Sequence, residues 1–248
     1  MSEDFTGRVA LVTGASRGLG LATAERLAAR GASVAVNVRD PERAEAAARR
    51  LGERGFAVPG DLGDPADLRS LVGRTLDRFG RLDILVNNAA VALSTRFEQI
   101  TEEEWRRTFE INVTAVFLLI RAAVPTMKKQ GYGRIVNLSS TAGKTVSTLG
   151  GAHYTASKAA LQGLTRAAAK ELGPHGITVN AVCPGLFDTE LTREHATPEL
   201  LAAAAKSFPI RRLGDPVEVA DLICFLASEA AGYITGASLD INGGDLMV

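Results

Sequence analysis

Short apolar runs alternate with stretches of helical periodicity along the chain. The first run, Val9–Thr13, contains β-branched residues, and the stretch after it, Leu21–Arg30, repeats apolar residues at helical spacing and stops at Gly31. Further runs predict strands at Ser33–Val38, Phe56–Val58, Leu82–Val86, Arg134–Leu138, Ile177–Val182 and Ser238–Ile241. Further helices are predicted at Glu42–Arg54, Pro65–Phe79, Glu102–Lys129, Tyr154–Leu172 and Pro216–Ala227.

This alternation predicts an α/β fold. Strands that are apolar on both faces and separated by helices are typical of a parallel sheet wrapped by helices. We therefore expect a doubly wound, mostly parallel seven-stranded sheet with helices on both faces. No linker, repeat or low-complexity segment divides the sequence, so residues 1–248 are predicted to form a single domain. The stretch from Leu186 to Arg211 is the least regular and is interpreted as a candidate mobile lid.

Composition argues against several classes of protein. The 248 residues are 46% hydrophobic, enough for one sizeable core, and 28 basic residues balance 28 acidic ones. The zero net charge does not indicate a nucleic-acid or membrane partner, and the longest apolar run, Ile111–Ile120, is too short to span a bilayer. The acidic residues 1–4 show no secretion signal. Cys183 and Cys224 have no metal-ligand spacing, so we expect no metal site and a cytoplasmic location.

A glycine-rich turn follows the first predicted strand. It reads Thr-Gly-Ala-Ser-Arg-Gly-Leu-Gly from Thr13 to Gly20, with the spacing Gly-x-x-x-Gly-x-Gly. Glycines let backbone amides approach a pyrophosphate, and the helix N-terminus adds partial positive charge. An ordinary strand-to-helix turn is the alternative, but the first β–α turn of such a sheet is where nucleotides bind. The predicted cofactor contacts in this turn are Gly14, Ser16, Arg17, Gly18, Leu19 and Gly20.

The end of the second strand predicts which nicotinamide cofactor is used. An acidic residue there would bind the adenosine ribose and repel a 2′-phosphate. This chain has Asn37-Val38-Arg39 instead, and Arg17 in the glycine turn offers a second guanidinium. Two arginines suit bidentate pairing with one phosphate, so we predict NADP(H) in preference to NAD(H). The alternative is that both arginines are solvated surface charges.

Tyr154 and Lys158 form the most informative pair of reactive side chains. They are four residues apart in a predicted helix, so both leave the same face. A nearby ammonium favours phenolate over phenol, which lowers the tyrosine pKa and suits the hydroxyl for proton transfer. A tyrosine and a lysine at this spacing are also common as an exposed pair, so the pair alone is weak evidence.

Several further motifs occur together with this pair. They are Asn87-Asn88-Ala89-Ala90 after the fourth strand, Asn112 in a long helix, Ser139-Ser140 after the fifth strand, Pro184-Gly185 and Thr189. Because these motifs occur together and in this order, the chain resembles the short-chain dehydrogenase/reductase family from Gly7 to Gly244. Within that family it is similar to the 3-oxoacyl-[acyl-carrier-protein] reductases and to related ketone and sugar-alcohol enzymes. The resemblance implies a Rossmann-type fold.

The resemblance also implies catalytic roles for four residues. Ser140 would hydrogen-bond the substrate carbonyl oxygen, and Tyr154 would exchange a proton with it. Lys158 would lower the Tyr154 pKa and bind the nicotinamide ribose. Asn112 would hold a water that links Lys158 to solvent. Two alternatives stay open. Ser139 is an alternative to Ser140 as the residue that binds the substrate oxygen, and Asn112 is also compatible with a purely structural role.

Further cofactor contacts follow from the same resemblance. Asp61 would contact the adenine with Leu62 alongside, and Asn88 and Ala89 would line the cleft. Thr189 would lie near the carboxamide or the phosphates. The remaining implied contacts are Pro184, Gly185, Tyr154 and Lys158. Asn87 is interpreted as a structural bridge between strands, His153 as a pocket wall or surface residue, and His175 and His195 as loop residues.

Two departures from the family pattern affect the substrate prediction. Ala90 replaces the usual glycine, which narrows the room for a positive φ. The turn Gly173-Pro174-His175-Gly176 lacks an arginine for an acidic carrier protein, although Lys128 and Lys129 are possible basic contacts. The departures favour a free small-molecule ketone or alcohol over a substrate bound to acyl-carrier protein. The loops Ser94–Phe97, Thr145–His153 and Leu186–Phe208 are predicted to line the substrate pocket.

Together these features predict an NADP(H)-dependent oxidoreductase that interconverts a ketone and a secondary alcohol. The alternatives are an NAD(P)-dependent sugar or polyol dehydrogenase and a nucleotide-sensing protein without chemistry. The resemblance also implies a homotetramer, in which the helices Glu102–Lys129 and Tyr154–Leu172 pack against their mates.

Overall fold

A single parallel sheet forms the centre of the computed structural model, which describes residues 5–248. Within that range the sheet has seven strands, which are β1 Val9–Thr13, β2 Ser33–Asn37, β3 Gly55–Ala57, β4 Ile84–Asn87, β5 Gly133–Leu138, β6 Ile177–Pro184 and β7 Ser238–Ile241. Their order in the sheet is β3-β2-β1-β4-β5-β6-β7, and every pair is parallel. The predicted α/β class and sheet are confirmed. Residues 1–4, which bear on the secretion-signal prediction, lie outside the described range.

Helices cover both faces of the sheet, as predicted. The α-helices of the described residues are α1 Gly18–Ala29, α2 Pro41–Arg50, α3 Pro65–Phe79, α4 Glu102–Phe109, α5 Ala115–Gln130, α6 Ala152–Leu172, α7 Glu190–His195, α8 Pro198–Ser207 and α9 Pro216–Ala227. Alternate residues of β1 belong to the cores on opposite faces of the sheet: Ala10 and Val12 pack with α1, α2 and α9, whereas Leu11 packs with α3, α5 and α6.

Three of these helices begin at an Asp-Pro step. The aspartate side chain accepts a backbone N–H of the first turn, and the proline occupies the first helical position, where its missing N–H costs nothing. The same local signal therefore fixes the start of a helix after β2, after β3 and before β7. The three steps are Asp40-Pro41, Asp64-Pro65 and Asp215-Pro216.

Two parts of the predicted secondary structure are wrong. The predicted helix Glu102–Lys129 is α4 and α5 joined by a π-helical turn at Glu110–Thr114. The segment from Leu186 to Arg211, predicted to be irregular, contains α7 and α8. Both of these short helices begin at a threonine, Thr189 or Thr197, whose hydroxyl accepts a backbone N–H of the first turn.

The run Glu102–Gln130 is long and apolar enough to cross a membrane by length and composition alone. In this fold its residues Leu119, Ala123 and Met127 are buried together with Leu85 of β4 and Ile135 of β5. The run is therefore accounted for as a core helix that packs on the sheet.

The strand order reverses between β1 and β4, and this reversal determines where the site lies. From β1 the chain proceeds outward to β2 and β3, then returns to β4 on the other side of β1. In open parallel sheets ligands bind in the crevice beyond the carboxyl ends of the strands at such a reversal. Thr13 and Asn87 end the two strands at that point.

Candidate active site

A cavity of about 380 Å³ opens at the carboxyl edge of the sheet. This volume falls in the range typical of small-molecule sites. One wall comes from the loops after β1, β4 and β5, and the opposite wall comes from α7 and the loop before it. The predicted site residues that line it are Gly14, Ser16, Arg17, Gly18, Leu19, Gly20, Asn88, Ala89, Ser140, Tyr154, Lys158, Pro184, Gly185 and Thr189.

The glycine turn has a shape that side chains would block. Gly14 and Gly18 have φ angles of +64° and +55°, which other residues rarely adopt. A methyl group on Gly14 would lie 2.8 Å from the Cα of Ala89, and one on Gly20 would lie 2.5 Å from the Gly14 carbonyl oxygen. Both distances are shorter than the contacts that Cβ atoms make with other heavy atoms in proteins. Glycine is therefore required at these positions for the turn to pack against the end of β4.

Asn88 fastens this turn to the sheet. Its Nδ2 donates to the carbonyl oxygens of Thr13, at 2.9 Å, and Gly14, at 3.1 Å. In return, the Thr13 hydroxyl accepts the backbone N–H groups of Asn88 and Ala89 at 3.0 and 3.2 Å. The ends of β1 and β4 are thus linked by four hydrogen bonds directly under the glycine turn.

Tyr154 and Lys158 lie on the same face of α6, as their spacing predicts, and both line the cavity. The Lys158 Nζ atom is 5.6 Å from the centre of the Tyr154 ring and donates to the Leu138 carbonyl oxygen at 2.5 Å. Burial lowers the Lys158 pKa to about 8. Among the protein's own groups, burial also raises the Tyr154 pKa, and the hydrogen bond with Ser140 opposes that rise. The predicted lowering of the Tyr154 pKa by Lys158 is not found in this arrangement, in which the ammonium donates to the Leu138 carbonyl oxygen.

The two adjacent serines have different surroundings. The buried Ser139 hydroxyl donates to the Lys158 carbonyl oxygen at 2.9 Å and accepts from Gln162 at 3.2 Å. Ser140 is only partly buried, and its hydroxyl caps the following turn by accepting the Ala142 N–H at 3.1 Å. Ser140 also lies close enough to Tyr154 to oppose the rise in the Tyr154 pKa. The geometry therefore favours Ser140 over Ser139 as the group that faces a substrate.

The Asn112 side chain is engaged in structural hydrogen bonds. It lies in the π-helical turn, where its Oδ1 accepts the Val91 N–H at 2.8 Å and its Nδ2 donates to the Val91 carbonyl oxygen at 2.9 Å. The second Nδ2 hydrogen bond goes to the Ser157 hydroxyl at 3.0 Å. Asn112 therefore ties the loop after β4 to α6 beside Lys158, and its predicted role in holding a water stays a prediction.

The comparisons with known proteins agree along the whole chain. Residues 14–245 match the family model described as enoyl-(acyl carrier protein) reductase. The chain is 41% identical over 245 residues to the 3-oxoacyl-[acyl-carrier-protein] reductase FabG of Escherichia coli (strain K12), covering 99% of this chain and 100% of the relative. It is 40% identical over 242 residues to the FabG protein of Staphylococcus aureus (strain Mu50 / ATCC 700699), covering 96% and 98%.

Two solved structures have the same fold over nearly their whole length. A candidate gluconate dehydrogenase from Agrobacterium tumefaciens superposes with a TM-score of 0.92 at 36% identity, covering 99% of this chain and 98% of that chain. A short-chain type dehydrogenase/reductase from Mycobacterium marinum superposes with a TM-score of 0.91 at 35% identity, covering 97% and 96%. The chain belongs to the short-chain dehydrogenase/reductase family. It is an oxidoreductase with the Rossmann-type fold of that family.

Three predicted cofactor contacts lie outside the cavity of this short-chain dehydrogenase/reductase. Arg39 is exposed beyond the end of β2 and has no hydrogen bond or ion pair with any residue from 5 to 248. The Asp61 carboxylate accepts the Gly63 N–H at 2.8 Å and pairs with Arg107 at 3.3 Å. Leu62 is buried in the core. Their predicted roles toward the adenosine half of a cofactor stay predictions.

The predicted positions of two histidines differ from those in the structure. His153 is fully buried and does not line the cavity, so its predicted place as a pocket wall or surface residue is wrong. Adjacent positions on α6 point in different directions, and Tyr154 takes the one that faces the cavity. His195, predicted to be a loop residue, ends α7 and lines the cavity. Ala90 causes no backbone strain, since no described residue other than glycine has a positive φ.

Sequence reasoning missed two contributors to the site. The sequence identifies Thr13 only as the start of the glycine turn, but its hydroxyl accepts two of the four hydrogen bonds that link β1 to the end of β4. Glu194 was not considered, although both Nη atoms of Arg17 donate to its carboxylate, with Nη2–Oε2 at 3.1 Å. A threonine at the end of an apolar strand is a weak signal, and no local pattern connects residues 17 and 194.

We expect Gly20→Ala to weaken binding of NADPH, the cofactor that the sequence predicts, about tenfold or more, because the added methyl pushes Asn88 and Gly14 apart. Such a loss is about 1.4 kcal/mol. Titration calorimetry with the purified variant measures the loss, and thermal unfolding reports any loss of stability. Gly73→Ala is the matched control. It places the same methyl in α3, where no atom lies within 4 Å, and should stabilise the helix by about 1 kcal/mol at unchanged affinity. Wild-type NADPH affinity in Gly20→Ala would contradict the described packing.

Proposed function

We propose that this enzyme interconverts a ketone and a secondary alcohol, with NADP(H) as the cofactor and Tyr154 as the acid and base. The observation that carries the proposal is that Ser140, Tyr154 and Lys158 line the same cavity as the glycine turn. The hydroxyl groups of a serine and a tyrosine can bind the same substrate oxygen, and the buried amine of Lys158 lies one helical turn from the tyrosine.

The residues fit a nicotinamide dinucleotide. The glycine turn leaves a cradle that a Cβ at Gly14 or Gly20 would fill, and it leads into the N-terminus of α1. The cavity continues from this cradle past Asn88 to Tyr154 and Lys158, so one elongated ligand can reach both ends. The cofactor supplies the hydride when bound, and the protein supplies position and electrostatics.

The chemistry assigned to the protein's own residues is proton transfer and charge stabilisation. Ser140 donates a hydrogen bond to the substrate oxygen and stabilises the negative charge that develops there in reduction. Tyr154 donates its proton to the same oxygen, or accepts it in oxidation. The Lys158 ammonium stabilises the phenolate that is left. Asn112 is proposed to support proton resupply to Lys158 from its position beside Ser157.

Among ketones, the lining favours an uncharged substrate. The segments 145–150 and 186–191 contribute the apolar lining side chains Val146, Leu149, Leu186, Phe187 and Leu191. The lysines and arginines among the lining residues are Arg17 and Lys158 alone, so a carboxylate substrate would lack a dedicated cation there.

Two substrate classes have support from relatives. The relatives named 3-oxoacyl-[acyl-carrier-protein] reductases support a 3-oxoacyl substrate, free or on a carrier, and Lys128 and Lys129 at the end of α5 would be the basic contacts. The Agrobacterium structure, named for gluconate, supports a sugar or polyol dehydrogenase instead. The apolar lining favours the first class.

A protein that only senses nucleotides is disfavoured, because Tyr154 and Lys158 are both kept and both face the cavity.

We further propose that the enzyme is a cytoplasmic homotetramer. The outer faces of α5 and α6 carry an exposed Phe117 and the small residues Ala159, Gly163 and Ala167, which permit close approach of a second copy. Light scattering should give the mass of four chains, and a monomer mass would reject this assembly.

Tyr154→Phe should reduce kcat for ketone reduction by about 10³-fold, because the proton donor is removed while the ring remains. NADPH oxidation is measured against β-ketoesters, α-diketones, cyclic ketones and acyl thioesters, with reverse assays on polyols. NADPH affinity should stay within about twofold of wild type, a difference of about 0.4 kcal/mol. Tyr233→Phe is the control, since Tyr233 is fully exposed and does not line the cavity. A Tyr154→Phe enzyme with near wild-type kcat would refute the role, and a wild type inactive on the whole panel would refute the activity.

Reduction should slow as the pH rises through about 8. The Lys158 pKa of about 8 means that its ammonium loses its proton there, and the stabilisation of the Tyr154 phenolate is lost with it. The measurement is kcat/KM for ketone reduction from pH 6 to 10, with unfolding monitored at each pH. Lys158→Arg keeps its charge throughout this range, so its profile should lack the step near pH 8. A flat wild-type profile to pH 10 would contradict the assignment.

Arg39→Ala should weaken NADPH binding about tenfold and leave NADH binding unchanged, because an exposed arginine without a protein partner is free to pair with a 2′-phosphate. Arg49→Ala, which removes an exposed arginine at the far end of α2, is the matched control. The readout is the ratio of kcat/KM for NADPH and NADH in each variant. A wild type that prefers NADH would overturn the cofactor proposal.

A further inference from the structure

The guanidinium of Arg17 is already occupied by a carboxylate from the opposite wall of the cavity. Arg17 immediately precedes α1, at the glycine turn, and both its Nη atoms donate to Glu194 of α7. The two side chains are about half exposed, at 44% and 51%. The hydrogen bonds from Arg17 hold the pKa of Glu194 below its usual range, so the carboxylate is ionised at neutral pH.

This pair uses one edge of Arg17 that suits a phosphate. A guanidinium binds a carboxylate or a phosphate through two parallel N–H bonds, and Glu194 accepts one bond from each terminal nitrogen. Three of the five N–H groups remain for another anion, the Nε–H and one on each Nη. Glu194 and a phosphate on the ribose therefore compete for the edge formed by the two Nη groups and for the positive charge of the guanidinium.

A second carboxylate of α7 adds to the competition. A methyl placed on Gly18 would lie 3.7 Å from Glu190 Oε2, so this carboxylate is directly over the glycine turn. Its charge raises the pKa of Arg17, after the larger effects of the hydrogen bonds that Arg17 donates to Glu194 and of the Glu194 charge. Helix α7 thus places two negative charges beside the arginine that the cofactor prediction depends on.

We propose that Glu194 is a specificity-determining residue that competes with the 2′-phosphate of NADP(H) for the guanidinium of Arg17. This inference rests on the proposed use of NADP(H) and goes beyond it, since it predicts weaker discrimination against NAD(H) than Arg17 and Arg39 together would give. It also predicts that a bound 2′-phosphate frees α7 from the glycine turn.

The competition is tested with nucleotide fragments that differ only in the 2′-phosphate. Titration calorimetry measures the binding of 2′,5′-ADP and of 5′-AMP to the full chain. Glu194→Gln removes the charge and keeps the size of the side chain. It should bind 2′,5′-ADP about threefold more tightly than wild type, the effect expected for an exposed ion pair, and 5′-AMP equally. In an Arg17→Ala background the same change should have no effect.

Two control variants separate this pair from other effects of α7. Arg193→Gln breaks the pair between Arg193 of α7 and Asp188 of the loop before it, at 2.8 and 2.9 Å, without touching Arg17, and should leave 2′,5′-ADP binding unchanged. Glu190→Gln removes a nearby charge that has no hydrogen bond to Arg17, so its gain should be smaller than that of Glu194→Gln.

The outcomes distinguish this inference from the cofactor proposal. If wild type prefers 2′,5′-ADP to 5′-AMP but Glu194→Gln gains nothing, Glu194 is not a competitor and the NADP(H) proposal survives. The same conclusion holds if the gain persists without Arg17. If neither wild type nor Glu194→Gln prefers the fragment with the 2′-phosphate, both proposals are overturned.

Discussion

The hydrogen bonds between Asn88 and the first strand fix the position of the glycine turn, on which the cofactor side of the site depends. They join β1 to β4 at the point where the strand order reverses, and the glycine turn rests on them. Each buried polar group in this link would cost about 1–3 kcal/mol if left unpaired. The turn can lie this close to Asn88 only because Gly14 and Gly20 have no side chains. The shape of the cofactor cradle therefore follows from backbone packing at one corner of the sheet.

The reactive wall is held by a second set of buried polar contacts, between β5 and α6. Asn137 donates to Thr165 at 2.9 Å, and the Lys158 ammonium and carbonyl are both hydrogen-bonded to the end of β5. These bonds fix how closely α6 packs against the sheet, and therefore where Tyr154 lies. They also bury the amine, which is why the Lys158 pKa falls to about 8. Positioning the amine and tuning its charge thus have the same physical cause.

Sequence patterns predicted the parts of this enzyme that local physics determines. The strands follow from apolar runs, and the face shared by Tyr154 and Lys158 follows from helix geometry. The π-helical turn at Glu110–Thr114 escaped prediction, because the apolar pattern continues through it without a break. The burial of His153 and the pairing of Arg17 with Glu194 depend on elements that meet only in the folded chain. The capping threonines before α7 and α8 were present in the sequence and could have been used.

Helix α7 joins the proposed substrate and cofactor parts of the cavity. Leu191 and His195 of this helix line the cavity, while Glu194 on the same helix pairs with Arg17 of the glycine turn. The proposed catalytic residues come instead from the sheet edge and α6, which are tied together by buried hydrogen bonds. Relatives named for different substrates are 36 to 41% identical to this chain. A change in α7 that reshapes the cavity therefore also alters the charge beside the glycine turn.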